Sequence, residues 1–329
     1  MADVAAEDSL DEVHGLRTFL EDRLAHRSGQ GGRASWLILD ALGLGLEQTL
    51  RFISTARPDY ARFKRWIIET AGRPDPLVVR RLNASLAGAP PPRAVLHQLA
   101  LIETMAPVLD SADLAHWDAE GYVILRGALS PSEARAVETL LWAEAGATPD
   151  DPDSWYAARG NGIMIQRFQH PAMDAARRSA RVHKAFAQLW GKADLWMTID
   201  RLSFNPPLRP GYSYREVGLH WDGSLSRPMT FATQGILYLT DTPPEQGALR
   251  LVPGFHRGLD AWLDGLGGAS PREVNLDDQA RYIGAGAGDL IIWRNALPHG
   301  ASPNTGVRPR LAQYVNMYPA DLKPNPVWL

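Results

Sequence analysis

Asp289-Leu-Ile-Ile-Trp293, Leu297-Pro-His-Gly300, Ser302-Pro-Asn-Thr-Gly306 and Arg310-Leu-Ala-Gln-Tyr-Val-Asn-Met317 follow one another near the end of the 329-residue chain. An apolar run, a Pro/Gly-rich turn and a second run with alternating faces describe two antiparallel strands. The same rhythm extends backward. Segments 162–167, 196–205, 229–240, 248–252 and 281–283 join 289–293 and 310–318 as expected strands, with few helical patterns after residue 196. Many short strands separated by turns predict an antiparallel barrel or double-sheet jelly roll.

Upstream the chain changes character near Gly121. Leu16, Leu20 and Leu24 recur at helical spacing, as do Leu39, Leu42, Leu46 and Leu50, although Gly43 and Gly45 weaken the second helix. Further helices are expected over 60–71, 76–86 and 93–109, with Ser111 capping a short one. Ser130-Pro-Ser-Glu133 reads as a capping box with proline in the first turn. The expected architecture is α+β: a helical segment over 1–110, then a barrel domain with flanking helices over 111–329.

Composition bounds the chemistry. Hydrophobic residues make up 45% and charged residues 22%, the net charge is −3, and there is no cysteine. Thiolate zinc sites, cysteine-ligated iron–sulfur clusters, disulfides and cysteine nucleophiles are thereby excluded. No basic run suggests nucleic acid, and no apolar run reaches membrane-span length. The acidic start, Met1-Ala-Asp-Val-Ala-Ala-Glu-Asp8, lacks the pattern of a signal peptide, so a cytoplasmic protein is expected.

The strongest chemical signal is Gly218-Leu-His-Trp-Asp-Gly223. On a strand, His220 and Asp222 project to the same side. His299, at the end of a later strand, can join them if the sheet closes. Two histidines and one carboxylate form the facial triad of non-haem iron sites, with open positions left for other ligands. A His-x-Asp pair alone also fits a surface hydrogen bond. A further feature, Arg310, lies on the face shared by Ala312, Tyr314 and Asn316, and a guanidinium there can grip a carboxylate through two parallel bonds. Arg308, in the preceding turn, fits a surface role. His14, His26, His97, His116, His170, His183 and His256 read as surface or packing residues.

Across Trp117 to Pro319 these residues resemble the phytanoyl-CoA dioxygenase-like branch of the Fe(II)/2-oxoglutarate oxygenases. The resemblance is carried by Gly121-Tyr-Val-Ile-Leu-Arg-Gly-Ala-Leu-Ser130, His220-Trp-Asp222, Gln246-Gly-Ala-Leu-Arg-Leu-Val-Pro-Gly-Phe-His-Arg257, Gly288 to His299 and Arg308-Pro-Arg310, in that order. It implies a double-stranded β-helix of the jelly-roll or cupin-like kind. It further implies iron on His220, Asp222 and His299, and 2-oxoglutarate held through its distal carboxylate by Arg310. Turnover with dioxygen would give succinate and carbon dioxide. Because Asp222 is present, hydroxylation is favoured over halogenation.

Trp293, Gln234, Thr233 and Asn205 are candidate contacts of the co-substrate, Trp293 fitting core packing equally well. Arg159, Met164, Gln166, Arg167 and Tyr214 are candidates for the substrate mouth, against a plain loop-and-edge-strand reading. The partner expected is a small molecule, with no nucleic acid and no membrane. Residues 1–110 could cap the barrel, cover the substrate or form a homodimer contact. Competing readings are a non-catalytic jelly-roll protein binding a metabolite or metal, and a Zn(II) hydrolase; the latter gives Arg310 no purpose.

Overall fold

The computed structural model describes residues 10–25, 32–157, 162–212, 214, 218–323, 325 and 327–329. Its strands are β1 (Tyr122–Leu125), β2 (Met164–Ile165), β3 (Leu195–Met197), β4 (Leu202–Asn205), β5 (Thr233–Tyr238), β6 (Leu249–Leu251), β7 (Arg281–Ile283), β8 (Leu290–Arg294), β9 (His299–Ala301), β10 (Arg310–Tyr314) and β11 (Met317–Pro319). Every pairing among them is antiparallel. The chain forms two compact units: Met1–Ala106 with Phe186–Asp200 and Met317–Lys323, and Pro107–Ala185 with Arg201–Asn316 and Pro324–Leu329. No helix among the described residues is long and apolar enough to cross a membrane.

The first unit is helical. Asp59 caps Tyr60–Ala71 by accepting from Arg62 N, and Asp75 caps Pro76–Ala87 at Leu77 N. The apolar stripes of its helices bury Leu16, Leu20, Leu37, Phe63, Ile67 and Leu82 in one cluster. Each such side chain contributes roughly 1.5–3 kcal/mol of burial. The helix expected through Leu39 and Leu50 is instead two, Gly32–Ala41 and Leu46–Ala56. Gly43, at φ 70, turns the chain between them. The helix expected to reach Leu109 stops at Thr104, short of Pro107. In this unit β3 pairs with β11, so the expected strands 196–205 and 310–318 each divide between two sheets.

The second unit holds a six-stranded sheet in the order β1-β8-β5-β10-β4-β2 and a three-stranded sheet, β7-β6-β9. Register assigns its faces, because residues opposite one another share a side. Trp293 stands opposite Gln234, Ile291 opposite Ile236, Ala312 opposite Tyr238 and Ser203, and Arg310 opposite Asn205. That face packs Ile236, Tyr238, Ile291 and Ala312 against Leu249, Leu251 and Ile283 of the smaller sheet. Tyr238 ties the two sheets: its hydroxyl donates to Ile283 O at 3.1 Å and accepts from Leu249 N at 2.8 Å. The opposite face carries Phe204, whose ring meets Trp142 of helix Pro131–Ala145 edge-on at 5.2 Å. The capping box of that helix is formed as the sequence indicates, by Ser130 and Glu133. Gly235 permits close passage of the chain: a Cβ there would collide with Val315 O.

Candidate metal centre

His220 and His299 exchange both backbone hydrogen bonds, each 3.0 Å, as a single antiparallel bridge. His299 opens β9, where Leu251 of β6 lies opposite it. The strand expected around His220 is reduced to this bridge, Gly218 and Gly223 on either side favouring a loop. Local alternation still does what a strand would do. Trp221 turns inward, donating its indole N–H to Ala296 O at 3.0 Å and packing 5.7 Å from both Phe255 and Trp262. His220 and Asp222 turn to the other side.

Each imidazole directs Nδ1 at the carbonyl two residues earlier: His220 at Gly218 O (2.9 Å) and His299 at Leu297 O (3.1 Å). A carbonyl only accepts, so each Nδ1 carries the proton. In the neutral rings Nε2 is then a lone pair, and both face Asp222: His220 Nε2 lies 3.5 Å from Oδ1, His299 Nε2 3.2 Å from Oδ2. Lone pairs turned toward a carboxylate need a proton or a cation between them. Burial works to raise the Asp222 carboxyl, but hydrogen bonds and charge from His220 and His299 outweigh it and hold it well below its usual range. The Asp222 hydrogen bond raises His220, opposed by burial and, more weakly, by Arg272.

One donor atom from each of the three residues lies within 4.8 Å of the others. Cis ligands of an octahedral ion with bonds of about 2.1 Å stand roughly 3 Å apart, so the set suits such an ion. The side chain of Asp222 is 59% exposed while that of His299 is 7% exposed, so the centre is rooted in the fold and open on one side.

Gln234 donates Nε2 to Asp222 Oδ2, the oxygen that His299 approaches. The Trp293 ring stands 5.2 Å from that of His299. Asn205 gives Nδ2 to Ser302 O at 3.0 Å, just beyond β9, and lies opposite Arg310. Arg310 is 1% exposed. Its Nε and Nη1 have no hydrogen-bond partner among the described residues, and neither do Asn205 Oδ1, Ser203 Oγ, Gln234 Oε1 and Trp293 Nε1. Buried polar atoms are normally satisfied, so a row of orphans on one sheet face marks a place for a polar ligand. Burial pushes the Tyr238 phenol up to about 12 against the opposing charge of Arg310.

Other expected site residues fall elsewhere. Thr233 is one residue from Gln234 and therefore on the opposite face, its hydroxyl donating to Asn316 Oδ1 at 2.8 Å. Arg167 is ion-paired with Glu144 of helix Pro131–Ala145. Met164 stands opposite Ser203 on the face of Arg310, and Gln166 Nε2 is buried without a partner among the described residues. The Tyr214 hydroxyl donates to Ala301 O, at the end of β9. Arg159 lies outside the described residues. His256, expected as a surface or packing residue, sits in the first turn of helix Phe255–Gly265 with Nε2 3.2 Å from Asp118 O. Sequence reasoning missed that helix, although Phe255, Leu259, Trp262 and Leu263 form its stripe. It also missed Arg272, which grips the backbone on both sides of Asp222.

The profile of the family described as phytanoyl-CoA dioxygenase matches residues 117–312. A Dictyostelium discoideum protein whose name carries phytanoyl-CoA dioxygenase is 24% identical over 187 residues, covering 44% of this chain and 52% of its own. Dioxygenase cdmD of Talaromyces verruculosus is 26% identical over 149 residues, covering 44% and 46%. The chain thus spans about half the length of these two curated relatives. Among solved structures, EctD from S. alaskensis with 2-oxoglutarate and 5-hydroxyectoine is 18% identical, covers 69% of this chain and 82% of its own, and superposes with a TM-score of 0.49.

Proposed function

The chain belongs to the phytanoyl-CoA dioxygenase family, and from that premise we propose that it is an Fe(II)- and 2-oxoglutarate-dependent dioxygenase that hydroxylates, or otherwise oxidises, a small organic molecule. In this reading the six-stranded and three-stranded sheets are the two walls of a double-stranded β-helix. The observation that carries it is the convergence of His220, Asp222 and His299 within 4.8 Å, in the same unit as a buried guanidinium whose Nε and Nη1 lack hydrogen-bond partners among the described residues.

His220, Asp222 and His299 would hold the iron, each histidine through an Nε2 freed by its Nδ1–carbonyl bond. Bound iron, with 2-oxoglutarate and dioxygen, supplies the oxidising power, 2-oxoglutarate leaving as succinate and carbon dioxide. The protein's own part is position and shelter. Arg310 would pair its planar N–H fork with the distal carboxylate of 2-oxoglutarate. Asn205 stands opposite it on β4, where its free Oδ1 can accept from the guanidinium. Gln234 fixes the rotamer of Asp222 through Oδ2. Trp293 and Leu297, both buried, keep water from the inner side of His299.

The test is succinate release under air from 2-oxoglutarate, Fe(II) and ascorbate, with candidate substrates added. Succinate above the metal-free background is expected. A protein that neither binds 2-oxoglutarate in the presence of Fe(II) nor consumes it would overturn the proposal.

A further inference from the structure

We propose that Arg272 is the positioning residue of the Asp222 loop, clamping that loop to Asn325 and residues 327–329 and so restraining the direction in which the carboxylate points. For its metal consequence the inference rests on the ligand set proposed above; the clamp itself stands on contacts made without a metal.

The loop needs such a device. From Trp221 to Ser226 it belongs to no strand, and its one ladder contact is the bridge at His220. Its carbonyls must find donors elsewhere. Arg272, in the short turn Pro271–Glu273, supplies them: Nη1 donates to Trp221 O and Nη2 to Gly223 O, both at 2.7 Å. These are the carbonyls of the residues on either side of Asp222. Holding both fixes the peptide plane that enters Asp222 and the one that leaves Gly223, and so restrains the short segment from which the carboxylate projects.

The guanidinium is itself held. Nε and Nη2 reach Leu329 O at 3.2 and 2.9 Å, and the ring of Trp328 lies 4.6 Å from its central carbon. Asn325, Val327 and Leu329 grip the same loop directly. Ser224 Oγ donates to Val327 O at 2.6 Å and accepts from Leu329 N at 3.2 Å, Leu225 N donates to Leu329 O at 3.3 Å, and Asn325 Nδ2 donates to Ser226 O at 3.0 Å. A flat fork of five N–H groups can serve three carbonyls at once, whereas one ammonium cannot hold them in a single plane.

The experiment compares wild type with Arg272→Gln and Arg272→Lys in the full chain. Mn(II), stable in air, is titrated calorimetrically, and backbone amide exchange is followed without metal. Arg272→Gln should bind Mn(II) about 10–100-fold more weakly, with the Leu225 amide exchanging faster and those of β10 unchanged. Arg272→Lys should fall between. Mn(II) affinity and Leu225 exchange equal to wild type in Arg272→Gln would overturn the clamp. If wild type fails to bind Mn(II), the ligand-set reading falls, and the exchange data still decide whether Arg272 holds the loop. Should Arg272→Gln not fold, Trp328→Ala removes only the ring beside the guanidinium; faster Leu225 exchange supports the clamp and unchanged exchange overturns it.

Discussion

The helical unit and the inner face of the six-stranded sheet bury polar groups by opposite rules. In the helical unit Ser35, Thr49 and Lys64 are buried, and each has a partner: Arg23 Nη2 reaches Ser35 Oγ, Thr49 Oγ1 donates to Gly45 O, and Lys64 pairs with Asp11. Arg81 Nε and Trp196 Nε1 lack hydrogen bonds among the described residues, but those two side chains stack at 4.2 Å, and Arg81 uses Nη2 on Asp194 and Leu195 O. On the sheet face Ser203, Asn205, Gln234, Trp293 and Arg310 all carry buried atoms without hydrogen-bond partners among the described residues. Folding alone disfavours the second pattern, because an unsatisfied buried group costs about 1–3 kcal/mol, and more when charged. The first pattern fits stability alone, and the second fits the ligand proposed above.

The largest expected effect comes from emptying the ligand set. His220→Ala, Asp222→Ala and His299→Ala should each abolish succinate formation, while far-UV circular dichroism stays that of wild type. Loss of turnover together with loss of fold would instead mean that the three residues hold the sheets together. Next comes Arg310→Met, which puts an apolar chain of similar length where a charge lies buried. Apolar replacement of buried charged groups is often neutral or stabilising, by up to about 4 kcal/mol, so the ligand-free variant should unfold at no lower denaturant than wild type. Its 2-oxoglutarate binding, measured calorimetrically with Mn(II), should weaken at least tenfold. A variant less stable than wild type would show that Arg310 is a structural residue and that the contrast between the regions is false. Gln234→Leu should do less: Asp222 loses one donor, and metal affinity should fall by about 10-fold or somewhat more. Metal titration checks this, an unchanged affinity removing Gln234 from the site.

The contrast also explains what could be read from the sequence. His220, Asp222, His299 and Arg310 were legible because their chemistry is unusual beside apolar strands. Trp293 and Gln234 were legible as neighbours, though the bond from Gln234 to Asp222 was not. Thr233 lies on the face opposite Gln234 because a strand alternates, and choosing between adjacent residues requires the register. The runs 196–205 and 310–318 look continuous in hydropathy, and only tertiary pairing divides each between two sheets. Arg272 carried no signal at all, since its partners are backbone carbonyls, which every residue has. Helix Phe255–Gly265 was hidden by its context: Pro253 and Gly254 stand at its start and Gly258 within it, residues that weaken a helical pattern.

The smallest effect tests the helical side of the comparison. Lys64 is buried and its partner Asp11 half-exposed, 2.8 Å away. The Lys64 hydrogen bond is the largest influence on Asp11 and outweighs burial, lowering its carboxyl below the ordinary 3.8. A carboxylate depressed on folding contributes stability above its unfolded pKa and loses it as pH falls through the folded value. Lys64→Met keeps the apolar stem and removes the charge. Solvent screens a pair with one exposed partner, so the loss near neutrality should be about 1 kcal/mol or less. Thermal midpoints of wild type and variant should therefore differ slightly at neutral pH and converge below about pH 4. A gap that persists undiminished into acid would mean that Lys64 is held by something other than Asp11, and that partnered burial in the helical unit does not follow from this pair.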